Sequence, residues 1–207
     1  MKPILTALSV LIFSVAAISQ IKAVTQTGDE VILNLNGTWK YTSDSVKTEK
    51  ILDTVVTSKP ANAKFFVKSE KVSFGVWIDS KKWKFKKETD GTREYMFSLN
   101  GEDAYAMFIP EKIEIPMESW KQIAVENAQK VATNVSVISE QMRKVNGLTV
   151  YCMQLNGTIQ GIKFTYYGYY FSSDAGSIQF ITYTSQKLFA QYKPALEELL
   201  NGFAESN

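Results

Sequence analysis

Asn-Gly and Asp-Gly pairs divide this chain into short segments, and these closely spaced turn signals limit the folds that it can adopt. Five of the six pairs occur at residues 36–37, 90–91, 100–101, 146–147 and 156–157, and the sixth is at 201–202. Both residues of such a pair tolerate the positive φ of a type I′ turn, which joins two antiparallel strands. The segments between them are rich in β-branched and aromatic residues, as strands are. The sequence therefore predicts a sheet built from successive hairpins, with its strands antiparallel.

The predicted strands fall into two blocks, and each block is followed by a helix. The strands are predicted at 63–69, 71–79, 82–87, 93–99, 104–110, 135–145, 148–155, 158–171 and 177–184. Apolar residues at helical intervals predict an amphipathic helix over 116–131. A second helix is predicted over 185–203, either kinked at Pro194 or divided there. The expected fold class is α+β, an antiparallel sheet with helices packed on it in one domain.

The first 23 residues have the layout of a secretory signal peptide. Lys2 precedes an apolar run from Ile4 to Ile18, and small residues follow. Cleavage after Ser19 and cleavage after Ala23 both fit the pattern. The apolar run is shorter than the roughly 20 residues that a membrane-spanning helix needs. We therefore expect an exported protein, periplasmic or secreted, with no stable transmembrane anchor in the mature chain.

Residues 24–62 are expected to form a separate N-terminal unit. Segments 30–35 and 38–41 alternate on either side of the first Asn-Gly pair, which predicts a hairpin. Residues 42–62 are polar and irregular, and we interpret them as a linker. The α+β domain is expected to span 63–207. The hairpin resembles a short Asn-Gly-Thr-Trp element found near the start of exported proteins of Bacteroidota-type bacteria.

The composition excludes several kinds of chemistry. The chain has no histidine and one cysteine, so Ser-His-Asp and Cys-His catalysis cannot operate. Zinc sites built from histidine or from a thiolate cluster are excluded for the same reason, and we expect no metal and no cofactor. Removing residues 1–23 takes two lysines and no acid from totals of 23 Lys+Arg and 21 Asp+Glu, which leaves 21 of each. A neutral mature chain gives no support for non-specific nucleic-acid binding.

A lysine-rich segment at residues 81–87 is one candidate binding element. On a strand, Lys82, Lys84 and Lys86 would share one face and the two aromatic residues between them the other. One interpretation is a solvated edge strand, whose lysines prevent aggregation. The other is a docking strip for an anionic partner, such as phospholipid head groups, an acidic protein or an envelope polymer.

The aromatic segment at residues 164–171 is the other candidate. Aromatic side chains alternate on both faces, which is typical of a central strand covered on both sides. Alternatively, the missing side chain of Gly168 would leave a dent in a tyrosine-lined face, suited to an apolar or sugar-like ligand. Tyr167, Gly168 and Tyr169 are therefore candidate binding residues.

The order of elements resembles the PsbP-like α/β fold, which includes the photosystem II extrinsic protein and the periplasmic DcrB-type proteins. The residues that carry the resemblance are Phe74 to Asp79 with Trp83, the helix at 116–131, Val145 to Gly147, Gly161 with Phe164 to Phe171, and Gln179 to Thr182. It covers roughly residues 70–205. It implies an α/β/α sandwich in a group whose members mostly bind or scaffold other proteins.

We therefore expect an exported, non-catalytic envelope protein that binds a protein or a small or polymeric ligand. The expected partner is an envelope protein or a small ligand, and not nucleic acid. The alternative is a carboxylate-dependent hydrolase acting on a glycan. That activity requires two carboxyl groups facing one cleft at the spacing found in glycosidases.

Overall fold

A computed structural model of the protein describes residues 21–24, 30–34, 38–41, 52–89 and 91–206. The chain divides between Ser45 and Val46 into two compact units. The N-terminal unit contains a three-stranded antiparallel sheet in which the strands lie in chain order. Its strands are β1 (Ile21–Val24), β2 (Glu30–Leu33) and β3 (Trp39–Tyr41).

The predicted N-terminal hairpin is present as the pair β2–β3, with Val31 opposite Tyr41. Its Asn36-Gly37 turn lies outside the described residues. The predicted signal peptide also lies outside them, except for residues 21–23, which belong to β1.

The described residues of the second unit form an eight-stranded sheet, a three-stranded sheet and two α-helices. Its first strands are β4 (Leu52–Thr57), β5 (Phe65–Lys68), β6 (Phe74–Ile78), β7 (Trp83–Lys87), β8 (Tyr95–Leu99) and β9 (Ala104–Glu111). A 3₁₀ turn (Met117–Ser119) leads into α1 (Trp120–Gln129). The remaining elements are β10 (Thr133–Val145), β11 (Leu148–Ile159), β12 (Ile162–Ser173), β13 (Gly176–Ser185), α2 (Phe189–Leu200) and β14 (Phe203–Glu205).

The large sheet has the order β4-β10-β11-β12-β13-β9-β8-β7, and the small sheet has the order β14-β6-β5. The predicted hairpins account for the antiparallel pairs β7–β8, β8–β9 and β10 to β13. The pair β4–β10 is parallel, so the large sheet is mixed and not wholly antiparallel. Strand β4 lies in the segment that we interpreted as a linker, and that interpretation is wrong for residues 52–57.

The turn predicted at Asn156-Gly157 is also absent. Strand β11 continues to Ile159, and the turn falls at Gln160-Gly161, where both residues have positive φ (49° and 83°). Gly157 lies under the Phe164 ring, whose atoms are 2.9 Å from where its Cβ would be. Asn156 accepts a hydrogen bond from the Thr165 hydroxyl at 2.8 Å. Asn156 and Gly157 thus stabilise the β11–β12 pair.

Both predicted helices are present, and each is shorter than the span predicted for it, 116–131 for α1 and 185–203 for α2. The C-terminal helix α2 is continuous through Pro194, so of the two alternatives the single helix is correct. Strand β14, which the sequence does not predict, pairs with β6 through Phe203 and Val76. None of the described helices is long and apolar enough to cross a membrane.

The large sheet separates two apolar cores. One face packs against α2 and the small sheet, and its most buried members include Phe180, Leu196 and Phe203. The other face packs against α1, whose buried residues meet Tyr151 and Tyr170. The result is an α+β domain in which helices pack on both faces of the central sheet, as the sequence predicts.

Candidate functional site

Helix α1 covers only part of its face of the large sheet. Ten residues of α-helix are about 15 Å long and about 10 Å wide, whereas eight strands span about 34 Å. Trp120, Ala124 and Ala128 lie one turn apart and are buried against β10, β11 and Tyr170. The strands β13, β9 and β8 carry no described helix on this face.

We call the uncovered part of this sheet the open face. The register places its side chains in rows: Tyr183 lies between Tyr166 and Tyr105, and Met107 lies between Ile181 and Met96. Side chains directly opposite one another on paired strands point to the same face. The open face therefore comprises Met96, Tyr105, Met107, Ile109, Tyr166 and Tyr183, and the buried Ile181 joins it to the core beneath α1.

A groove of about 480 Å³ lies between α1 and the open face. Helix α1 and its C-terminal end contribute Ala124, Ala128 and Val131. The sheet contributes an apolar floor that includes Met107 and Ile181. This volume lies in the range of small-molecule sites, and the lining also contains polar side chains, such as those of Thr92, Asn127 and Gln179.

Aromatic rings continue the floor of the groove across the sheet. The rings of Tyr105 and Tyr183 stack with centroids 5.5 Å apart. The Tyr166 ring meets the Tyr183 ring edge-on at 5.9 Å, and the Phe164 ring lies 4.4 Å from Tyr166. These contacts hold the rings in place, so the row is a preformed surface.

Four tyrosine hydroxyls on this face differ from those of the opposite face, whereas a fifth, that of Tyr151, donates to Glu140. Within the described part of the chain, no hydrogen bond is made by the hydroxyls of Tyr105, Tyr166, Tyr170 and Tyr183. On the opposite face, Tyr95, Tyr167, Tyr169 and Tyr192 all donate to an acceptor at 2.6–2.9 Å. None of these four hydroxyl oxygens is sealed from solvent, so each is open to the groove or to the surface beside it. They are donors available to a bound molecule.

Arg93 stands at the rim of the groove. Its guanidinium makes no hydrogen bond or ion pair with any described residue. Burial raises the pKa of Tyr166, and the positive charge of Arg93 opposes that rise. The pKa of Tyr183 behaves in the same way. Both tyrosines therefore keep their protons at neutral pH and lie within the electrostatic reach of a cation.

Tyr167 and Tyr169, two of the candidates from the sequence, lie on the other face of β12 and are buried. The Tyr167 hydroxyl donates to Glu197 at 2.6 Å, and its ring lies 5.8 Å from the Arg143 guanidinium. The Tyr169 hydroxyl donates to Asn201 at 2.8 Å. These bonds attach α2 and the residue after it to the sheet. The face of β12 that carries Tyr167 and Tyr169 is therefore covered, as expected for a central strand, whereas the other face is covered beside Tyr170 and open beside Tyr166.

Gly168 lies on the side of the open face, but the predicted dent is absent. A Cβ at this position would lie 2.7 Å from the Phe180 carbonyl oxygen and 3.2 Å from Cγ1 of Ile181. Strand β13 therefore fills the space, and Gly168 allows close approach of the two strands. A role of Tyr167, Gly168 and Tyr169 in ligand binding stays a prediction, to which this packing adds no support.

The lysines of the 81–87 segment lie at and near the terminal strand β7, as the edge-strand interpretation requires. Lys82, in the turn before β7, pairs with Glu198 at 2.8 Å. Lys84 and Lys86 lie opposite Ser98 and Met96, on the side of the open face. Docking of an anionic partner at Lys82, Lys84 and Lys86 stays a prediction.

The sequence contained a signal for the residues that line the site. The segment 104–111 alternates, and Tyr105 lies on the same side as Met107 and Ile109, whereas 176–185 is buried along most of its length and does not alternate. The densest aromatic segment of the sequence forms β12. The candidates chosen from it, Tyr167 and Tyr169, lie on the covered face, whereas Tyr166 and Tyr170 line the groove. Arg93, in the loop before β8, has no sequence signal of its own.

The groove offers hydroxyl donors, one guanidinium and apolar surface. Its lining contains one carboxylate, Glu111, whereas a glycosidase needs two. Among the described residues there is no group of three or more Asp, Glu, Cys or His side chains that could hold a metal ion.

Comparison with known proteins rests on structure, because no protein-family model and no curated protein matches the chain. The cyanobacterial PsbP of Synechocystis, CyanoP, superposes with a TM-score of 0.51 at 11% identity, covering 70% of this chain and 94% of that protein. The chain has a PsbP-like fold.

Two further structures are similar to this PsbP-like domain. PA94 of Pseudomonas aeruginosa, a protein of unknown function, gives a TM-score of 0.46 at 9% identity, covering 69% of this chain and 97% of its own. LpqN of Mycobacterium tuberculosis, involved in cell envelope biogenesis, gives 0.38 at 9% identity, covering 76% and 89%. At such identities the similarity concerns the fold alone.

Proposed function

We propose that this protein is an exported, non-catalytic binding protein that holds a small amphipathic molecule in the groove between α1 and the open face. One observation carries the proposal. Tyr166 and Tyr170 in the groove, the adjoining Tyr105 and Tyr183, and Arg93 at the rim all present donors with no acceptor among the described residues. A polar group from a ligand satisfies such donors.

The apolar part of the ligand lies along the floor. Met107, Ile181 and Val131 line the groove, and burying apolar surface there contributes about 25 cal/mol per Å². The flat tyrosine rings suit a planar or chain-like body. The alanines on α1 keep the helix side of the groove wide enough to receive it.

The polar part of the ligand accepts hydrogen bonds and carries negative charge. Tyrosine hydroxyls can donate, and the Arg93 guanidinium donates in a fork that matches a carboxylate, sulfonate or phosphate. Glu111 on the lining repels an anion, so we place the acidic group beside Arg93 and Tyr166. The hydrolase alternative is not proposed, since only one carboxylate lines the groove.

The proposal predicts that 1-anilinonaphthalene-8-sulfonate, which joins an aromatic body to an anionic group, binds the folded protein. Val131→Trp narrows the groove at a position that is 60% exposed and should weaken binding about tenfold or more. Arg93→Ala should weaken it by roughly 10- to 100-fold, the worth of a charge-assisted hydrogen bond. Fluorescence titration measures both effects.

Ile162→Trp is the matched control, because Ile162 is 65% exposed and does not line the groove. Its affinity for the dye should equal that of the unaltered protein. Equal affinity in all three variants would show that the dye binds elsewhere and would remove the support for a groove ligand.

Export is part of the proposal, and the structure bears on the cleavage site. Ile21, Lys22 and Ala23 lie in β1 opposite Leu33, Ile32 and Val31. Cleavage after Ala23 would remove most of this strand, whereas cleavage after Ser19 would keep it. We expect mass spectrometry of the exported protein to find Gln20 at the N-terminus. An N-terminus at Val24 would contradict the inclusion of β1 in the mature protein.

A further inference from the structure

The geometry points to a second binding surface at the free edge of β7, and we propose that it docks an extended, acidic peptide segment of a partner protein. An apolar side chain of that segment would enter a notch formed by Phe65, Trp83 and Phe85. The surface does not involve the groove beside α1, so the proposal is independent of the small-ligand function.

Strand β7 presents unpaired backbone groups at this edge. It is the last strand of the large sheet, and among the described strands it pairs with β8 alone. The Lys82 carbonyl accepts from the Asn100 N–H at 2.8 Å, and the Glu88 N–H donates to the Glu94 carbonyl at 2.8 Å. In an antiparallel pair these directions alternate along the strand, so the N–H and C=O of Phe85 and Lys87 point away from β8. A further strand can pair with them.

A notch of about 270 Å³ opens beside this edge, where β5 and β7 meet. The Phe65 and Phe85 side chains are 47% and 42% exposed, and their ring centroids lie 5.6 Å apart. The volume is below the range of about 300–1,000 Å³ usual for small-molecule pockets. It suits one apolar side chain from a strand lying on β7.

Trp83 forms part of the notch and carries an unsatisfied donor. The residue is 3% exposed, and its Nε1–H has no acceptor among the described residues. Buried indole N–H groups are normally hydrogen-bonded. A docked strand brings carbonyl oxygens to the notch, and one of them can accept from Trp83.

The charge around the notch favours an acidic segment. Lys84 lines the notch, and Lys64 and Lys81 are next in sequence to lining residues. None of these three lysines forms an ion pair with a described residue. Asp79, the nearby acid, already accepts from the Lys81 N–H and the Asn62 amide. The remaining lysines of the strand, Lys86 and Lys87, pair with Glu88 and Glu70.

A peptide fits these features better than an anionic membrane does. Lipid head groups would satisfy the lysines, but they offer no regular series of donors and acceptors for the outward backbone of β7. The notch between the two phenylalanine rings also admits a single side chain and not an acyl surface.

The test uses a fluorescein-labelled eight-residue peptide of Asp and Glu with one central Phe, measured by fluorescence anisotropy against the full chain. We expect saturable binding, about tenfold weaker or more for Lys84→Glu. A peptide with Ser in place of Phe should bind at least about fivefold more weakly, because the notch stays empty. No binding up to about 1 mM peptide would overturn the proposal.

Strand addition has its own matched pair of variants. Lys87→Ala and Lys87→Pro both remove the charge, but only proline removes the outward N–H, and β7 keeps its bonds to β8 in both. We expect the proline variant to bind at least about fivefold more weakly than the alanine variant. Equal affinities would overturn strand addition, and binding to phosphatidylglycerol vesicles without binding to the peptide would overturn the choice of partner. Circular dichroism confirms that each variant is folded.

Discussion

Replacement of Trp120 with alanine is expected to lower the free energy of unfolding by about 3–5 kcal/mol. Trp120 is fully buried, its ring lies 5.5 Å from the Tyr170 ring, and its Nε1–H donates to the Ser172 hydroxyl at 3.1 Å. The loss therefore combines a large cavity with the loss of one hydrogen bond to Ser172, whose hydroxyl keeps its bond with the Ser177 hydroxyl at 3.0 Å. Because Trp120 holds the first turn of α1 on the sheet, the same change should also weaken dye binding in the groove. Urea unfolding measures the first effect and fluorescence titration the second.

Trp77→Ala provides the matched control for that experiment. Trp77 is half-buried, with its ring 4.8 Å from Phe66 and the Lys59 ammonium 4.7 Å above it. Its removal should cost about 1 kcal/mol and leave the groove unchanged. Equal losses of stability in the two variants would show that α1 is not held by Trp120.

Raising the pH above about 10 is expected to unfold the protein progressively. Burial raises the pKa of Tyr169 to about 12, and burial also raises the pKa values of Tyr151, Tyr167 and Tyr170. An unfolded tyrosine loses its proton near pH 10. Each of these groups therefore stabilises the native state fully below about pH 10, and that contribution is lost as the pH rises through the native pKa.

The expected loss of stability at high pH is large because burial raises the pKa of every one of these tyrosines, so their contributions add. Two pKa units at Tyr169 alone correspond to about 3 kcal/mol between pH 10 and 12. Urea unfolding at a series of pH values measures the slope. Tyr170→Phe should reduce this slope and change the stability at pH 7 little, because the Tyr170 hydroxyl has no partner among the described residues. A stability that is constant from pH 9 to about pH 11.5 would contradict the prediction.

The local part of the fold follows from the sequence, and the non-local part does not. Hairpin turns such as Asn146-Gly147 are specified by two adjacent residues, and the structure places positive φ at both. Strand β4 pairs with β10 across almost ninety residues, so no local pattern marks it as part of the sheet. Strand β14 has three residues and follows a helix, and its register with β6 depends on the packing of Phe203.

The Asn156-Gly157 pair shows where a turn signal misleads. The dipeptide permits a turn, but residues 148–159 gain more by continuing as a strand, since Gly157 receives the Phe164 ring. A sequence shows that a glycine lacks a side chain. It does not show which neighbouring group fills the space.

The same reasoning applies to the candidate site. The two-residue period of β12 separates Tyr166 from Tyr167 correctly, but it does not show which side a helix covers. The length of α1 decides that question: one ten-residue helix leaves Tyr166 at an open groove, while α2 and the small sheet cover Tyr167. Which face of β12 carries the candidate binding residues thus depends on how elements far apart in the chain pack against the sheet.

The separation of the two cores by the sheet has a consequence for how this protein evolves. Phe180 and Phe203 are fully buried on the face away from the groove, and Trp120 and Tyr151 are fully buried beneath α1. Substitutions at Met107, Tyr183 or Val131 leave the packing around Phe180 and Phe203 untouched. Half-exposed positions on the groove floor can therefore change with little effect on stability, whereas changes beneath α1, at Trp120 above all, should alter binding and stability together.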